Sequence, residues 1–343
     1  MRTLEVRNVH EALPRAVKLL LDHGVARGSR NGPVLVAPWP VATVYERPVE
    51  RVLFWPERDA NPFFHLFESL WMLCGRDDLA PLLPYVKQMA QYSDDGDAIR
   101  GAYGARWVWK LGLDQLSIIV RRLIENPDDR RCVLSMWQTS MDLDVESKDL
   151  PCNLTATFQR DSTGRLDMVV FCRSNDIVWG CYGANAVHFS MLQEYLARRI
   201  GCPVGTYTQV SVNWHAYLTT LEPLRGLVEH IGEGNPYDVI HGHVVSTPMR
   251  DYQIVETVRA LYDEATSDDY LIPHSIDPWA EVFQAVLEAH RIYRTGDAPA
   301  RYDDAVENLK EFGSRDWCVA AIQWLERRRD MWLAKDFHTL GEA

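Results

Sequence analysis

The chain has no apolar run approaching the roughly 18 residues that a membrane-spanning helix needs, and no basic stretch followed by an apolar one near its start. A membrane protein and a secretory leader are therefore not expected. Positive charge is also in short supply. Lysine and arginine total 36 against 48 aspartates and glutamates, a net charge of −12. That balance argues against a general nucleic-acid-binding surface and leaves any phosphate to be caught by local arginines. Cysteine is sparse, with seven in 343 residues. An odd, scattered set fits a reducing compartment better than a disulfide framework. Low-complexity tracts and internal repeats are missing too. The expectation is a soluble, cytoplasmic, globular protein with enough chain for a substantial core.

What is present reads as mixed α and β. Apolar spacing predicts an amphipathic helix over 9–24, helices over 61–74, 79–92, 113–125 and 185–200, and irregular strands over 34–54. A strand is expected over 131–137, a hairpin over 153–159 and 165–173, and a further strand over 204–214. Residues 215–230 read as helix and 236–247 as a last strand. From 251 onward only helices are expected, near 251–265, 277–294, 300–312 and 316–334. The predicted organisation is a domain over 1–250 and a helical extension, 251–343, packed on it.

The densest chemistry falls in 150–185. Cys152 follows Pro151 at the mouth of the first hairpin strand, and the second strand ends on Arg173, Ser174, Asn175 and Asp176. Strand ends are where a rigid scaffold presents reactive groups. A thiol beside arginine, serine, aspartate and asparagine suggests a nucleophile acting on an anionic, hydrogen-bonding substrate. The pair His241 and His243 lacks companion ligands and reads as loop rather than metal site. No metal is expected. Trp317, Trp324 and Trp332 have helical spacing and read as packing.

Pro151-Cys152, Arg173-Ser174-Asn175-Asp176 with Gly180 and Asn185, and His215-Ala216-Tyr217 together resemble the thymidylate synthase superfamily, with order and spacing maintained over residues 28–220. The resemblance implies an α+β fold of three layers, a central mixed sheet covered by helices, and a homodimer. It implies that Cys152 adds to C6 of a pyrimidine nucleotide so that C5 can attack the one-carbon unit of 5,10-methylenetetrahydrofolate. Arg173 is expected to favour the thiolate. The resemblance gives Arg30, Arg130, Arg131, Arg173 and Ser174 to the nucleotide phosphate, with Arg130 and Arg131 reaching across from the other subunit. Arginine suits that task because its planar fork donates two parallel hydrogen bonds. Asn185 would read the base edge, and His215 and Tyr217 the sugar hydroxyl. Asp176, Gly180 and Met89 fall on the folate side, while Glu68 would order waters and shuttle protons and Tyr103 would stand near C5.

Three departures bear on which reaction is run. The interval from Arg173 to Asn185 is one residue longer than in thymidylate synthases, Met89 stands where a tryptophan covers the folate, and the chain ends His-Thr-Leu-Gly-Glu-Ala rather than on an aliphatic tail. The last two would admit water and favour a hydroxymethyl product over a methyl one. The altered pocket points to deoxycytidylate or cytidylate, with deoxyuridylate next. Ordinary thymidylate synthesis and a catalytically idle nucleotide- or RNA-binding relative are the alternatives.

Overall fold

The computed structural model describes residues 1–240, 250–267 and 278–340. Its frame is one mixed sheet of eight strands: β1 (Arg2–Val6), β2 (Val25–Arg27), β3 (Val34–Val36), β4 (Val41–Tyr45), β5 (Val133–Ser135), β6 (Asn153–Arg160), β7 (Leu166–Asp176) and β8 (Val204–Tyr217). The order is β1-β4-β8-β7-β6-β5, with β3 also on β8 and β2 on β3. The pairs β1–β4 and β7–β8 run parallel, and the rest are antiparallel.

Four helices position the site. Helix α1 (Val9–His23) starts where Asn8 accepts the N–H of Glu11, and buries Leu13, Val17 and Leu20. Helix α2 (Pro62–Leu73) opens on Asn61, whose side chain accepts from Phe64, with Pro62 in the first turn where its missing N–H costs nothing. Helix α3 (Gln115–Glu125) is capped by Asp114. Helix α4 (Asn185–Ile200) ends on Gly201, whose φ of 82° is a left-handed turn that favours glycine. Helix α4 lies on β7 and β8, and α2 lies on α4.

The C-terminal helices α5 (Ile254–Thr266), α6 (Pro278–Thr295), α7 (Ala300–Lys310) and α8 (Asp316–Leu340) form an outer layer. Phe63 of α2 meets the ring of Trp324 edge-on at 5.5 Å, and Phe67 stacks against Tyr262 at 5.8 Å. Trp317 and Trp324 are core residues, as expected, and Trp332 is half-buried. The opposite face of the sheet is partly exposed among the described residues. Val133, Thr157, Val169 and Thr208 are neighbours across it, and Val133, Phe171 and Val212 on that face are 47%, 40% and 61% exposed.

Several expected elements differ. Residues 79–92 form short 3₁₀ turns, Ala80–Leu82 and Lys87–Tyr92, rather than a helix. Pro81 and Pro84 each lack the N–H a helix would need. His215 to Tyr217 remain in β8 because β3 pairs with them, and 222–230 is a 3₁₀ helix. Pro236–Asp238 is a 3₁₀ turn. The rest of the predicted 236–247 strand, with His241 and His243, lies mostly outside the described residues, as do the side chains of the C-terminal tail.

Candidate functional site

Strand β6 begins one residue after Cys152, and a bulge between Asn153 and Thr155 breaks its register against β7. Bulges re-aim the side chains beside them. The half-buried Cys152 is fixed from two directions. The hydroxyl of Tyr103 accepts the N–H groups of Cys152 and Asn153, both at 3.0 Å. Arg173 donates from Nε and Nη2 to the carbonyls of Pro151 and Leu150 at 2.9 and 3.2 Å. Tyr103 reaches this position because its neighbour is Gly104, where a Cβ would stand 2.0 Å from the Met72 carbonyl oxygen at the end of α2.

Electrostatics around the thiol run against the simple expectation. Burial pushes the Cys152 thiol up, Arg173 pulls it down, and Asp149 pushes it up again. The net direction is upward, so Arg173 acts as foreseen but burial outweighs it. Asp149 gave no signal as a chemical group in the sequence, though it stands three residues before Cys152. Its Oδ2 accepts the Gly101 N–H at 2.7 Å, and a Cβ on Gly101 would lie 2.7 Å from the same oxygen. The charge of Asp149 raises Cys152, Glu68 and Tyr103 alike. Burial, aided by Asp149, raises Glu68 to about 8. At neutral pH Glu68 is therefore a carboxylic acid.

Asn185 is the centre of a chain of buried amides. Asn153 Nδ2 donates to Asn185 Oδ1, Asn185 Nδ2 to Asn175 Oδ1, and Asn175 Nδ2 to the Ser211 hydroxyl, each at 3.0 Å. Asn185 retains one N–H and one lone pair, the complement of a base edge with adjacent donor and acceptor. Gly180 makes room for the chain: a Cβ there would lie 2.7 Å from Asn175 Oδ1 and 3.5 Å from Asn185 Nδ2.

The longer turn before Asn185, Ile177–Ala184, starts as a π-helical turn and kinks at Tyr182 and Gly183, and Asp176 caps its start by accepting the N–H groups of Val178 and Trp179, both at 3.2 Å. Arg58 braces the turn from beneath, donating to the Val178 carbonyl at 2.7 Å, with its guanidinium 4.4 Å from the Trp179 ring centroid. Asp176 faces His215 across the β7–β8 register. Burial raises its pKa, with His215 and Arg58 opposing. His215 and Tyr217 stack edge to face at 5.6 Å, and Asn31 Nδ2 lies 3.5 Å from the Tyr217 hydroxyl.

An open cleft of about 560 Å³ is walled by Arg30, Asn31, Gln91, Tyr92, Lys148, Trp179 and Tyr217. Of the site residues of the sequence reading, Arg30 from the phosphate loop and Tyr217 from the sugar side share this wall. Met89 is not part of it; it is half-buried against the hydrophobic core, and Tyr92 and Trp179 supply the aromatic faces instead. Ser174 is half-buried on β7, level with Asn213. Arg130 and Arg131 are exposed just before β5, with Arg131 paired to Asp129 at 3.0 Å. Sequence reading missed Asp149, Trp179, His188 and the part Asn153 plays beside Asn185, and it quoted Asn175 without giving it a role. For His188 the available signal was its place one helical turn after Asn185.

Cys152 thus sits beside the amide chain centred on Asn185, through Asn153, while Glu68 is held as a neutral acid. The thymidylate synthase family model matches residues 59–264. The deoxyuridylate hydroxymethyltransferase of Pseudomonas phage M6 is 46% identical over the whole of this chain and 99% of its own. The protein of that name from Bacillus phage SP01 is 38% identical over 52% of this chain and 49% of its own. A putative thymidylate synthase of Methanosarcina acetivorans is 26% identical over 67% of this chain and 96% of its own. The chain belongs to the thymidylate synthase family, and it is an enzyme of the transferase class. No helix among the described residues is long and apolar enough to cross a membrane.

Proposed function

We propose that the protein is a folate-dependent pyrimidine-nucleotide C5 hydroxymethyltransferase whose substrate is deoxyuridylate. The observation that carries the reading is Cys152, held by Tyr103 and Arg173 beside the amide chain of Asn185, in a chain 46% identical over its full length to a protein named for hydroxymethyl transfer. The altered turn before Asn185, taken alone, leans toward cytidylate. The full-length likeness to a protein named for deoxyuridylate moves the proposal to uracil, whose O4 and N3–H match the N–H and lone pair left on Asn185.

In this account Arg30, Arg173 and Ser174 take the phosphate, His215 and Tyr217 the sugar, and Cys152 adds to C6, giving C5 the electrons it lacks in the free base. Methylenetetrahydrofolate would supply the electrophilic one-carbon unit, with Tyr92 and Trp179 offering stacking faces in the cleft and the half-buried Asp176 an acceptor for ring N–H groups. Glu68 moves protons at the base, and Tyr103 holds the loop bearing the thiol. Arg130 and Arg131 come from the partner of a homodimer formed through the partly exposed sheet face. The helices after residue 251 brace α2, and with it Glu68. The reaction belongs in the cytoplasm, on free nucleotide rather than nucleic acid. Spectrophotometry tests the reading. Turnover of deoxyuridylate with methylenetetrahydrofolate should leave no dihydrofolate absorbance, and one dihydrofolate per turnover would make the protein a thymidylate synthase.

A further inference from the structure

Helices α2 and α4 each aim two residues, one turn apart, at a shared buried seam: His65 and Glu68 on α2, Asn185 and His188 on α4. Residues three apart lie on one helical face. His188 is 5% exposed. Its Nε2 stands 3.3 Å from Glu68 Oε2, yet this buried nitrogen makes no hydrogen bond. His65 closes the seam, its ring edge-on to His188 at 6.3 Å and 87°.

An unpartnered buried ring nitrogen is costly, and one aimed at a carboxyl oxygen needs only a small rotation to share its proton. We propose that His188 is the proton partner of Glu68, a positioning residue that takes the Glu68 proton so that Glu68 can act as base toward the attacking water. The proposal rests on the hydroxymethyltransferase reading. In the step concerned, the nucleotide carries an exocyclic methylene at C5 and Cys152 at C6. Glu68 passes its proton to His188 Nε2. The water oxygen bonds to the methylene carbon, its proton goes to the Glu68 carboxylate, and the methylene electron pair moves into the ring as the C4 enolate. The enolate collapses to restore the C5–C6 double bond and expels Cys152 as thiolate. The proton on His188 then neutralises that thiolate through Glu68 and solvent. No redox partner is required.

The surroundings hold the proton on Glu68 at rest, so its passage to His188 is uphill and transient, driven by the attack of water. Asp149 favours the protonated form of Glu68. Burial lowers His188 to about 3, opposed by a contact with the His65 backbone. His65 is held neutral by burial, with Arg58 and His188 adding to the effect. At rest both rings are thus neutral, and the acidic proton of the seam sits on Glu68.

The test compares wild type with His188→Gln and His188→Phe, two variants that differ in polarity so that a folding failure of one leaves the other. Hydroxymethyl product is followed against pH, and the Cys152–nucleotide adduct is followed by mass spectrometry of quenched enzyme. The expected result is adduct formation near the wild-type rate and product release slowed roughly 100-fold at neutral pH, the scale of one acid–base group. The acid limb of the pH profile should also move upward by about one pH unit, because the Glu68 proton has lost its acceptor. An unchanged profile with unchanged product rate overturns the role of His188. So does equal loss of adduct and product at every pH, which marks a merely structural residue. If wild type itself yields methyl product, the underlying reading fails, and the proposal with it.

Discussion

A carboxylic acid held protonated by burial favours the folded state only while it remains protonated, and Glu68 is such a group. Its folded value of about 8 lies above the ordinary 4.5. Its contribution to stability is therefore complete below pH 4.5 and is lost as pH rises toward 8. Glu68→Gln cannot ionise. It should match wild type near pH 4.5 and exceed it at pH 8 by on the order of 3–5 kcal/mol, while losing turnover. Urea unfolding at the two pH values checks this, and a variant less stable than wild type at pH 8 contradicts it. Asp149 allows an independent test at the same scale. It pushes the Cys152 thiol up, so Asp149→Asn, which can still accept from Gly101, should speed alkylation of Cys152 by iodoacetamide at pH 7. Product formation should nonetheless fall. Slower alkylation would mean that the carboxylate does not face the thiol.

Elements carry the site only where they meet closely, and Gly104 marks the closest meeting. A Cβ there requires the Tyr103–Ala105 turn to shift from the Met72 carbonyl, drawing Tyr103 away from the N–H groups of Cys152 and Asn153. Gly104→Ala should cost about 1–3 kcal/mol of stability, the usual range for overpacking, and lower turnover at least tenfold. Full activity would show that Tyr103 does not set the position of the thiol. Much of this level was legible in the sequence. The apolar period of α4 predicted its bounds, Asn185 to Ile200, and the hairpin of β6 and β7 was expected within a few residues of where it lies. The 79–92 helix was misread because apolar residues there face a core from successive 3₁₀ turns. His215 and Tyr217 were placed in a helix because strand pairing with β3 is a distant contact that no local period records. Asp149 and His188 escaped for the same reason. A lone acid in a loop and a histidine on an apolar helix have many ordinary explanations, and only the fold brings each beside Cys152 or Glu68.

At the scale of the whole molecule, the partly exposed sheet face is the largest departure from a finished surface. Exposed Val133, Phe171 and Val212 share one side of β5, β7 and β8, next to the exposed Arg131. A homodimer through that face would bury the apolar residues and bring Arg131 to the partner's phosphate. Mixing inactive Cys152→Ala with inactive Arg131→Ala should then restore activity, because one site of each heterodimer is intact. No recovery under conditions shown to exchange subunits contradicts the shared site. The central claim concerns what is attached to C5, and to which base. The most direct measurement is mass spectrometry of the products from an equal mixture of dUMP, dCMP and CMP with methylenetetrahydrofolate. The account predicts one new nucleotide, deoxyuridylate heavier by CH₂O. Deoxyuridylate heavier by CH₂, or a hydroxymethylated cytidylate in its place, would contradict it.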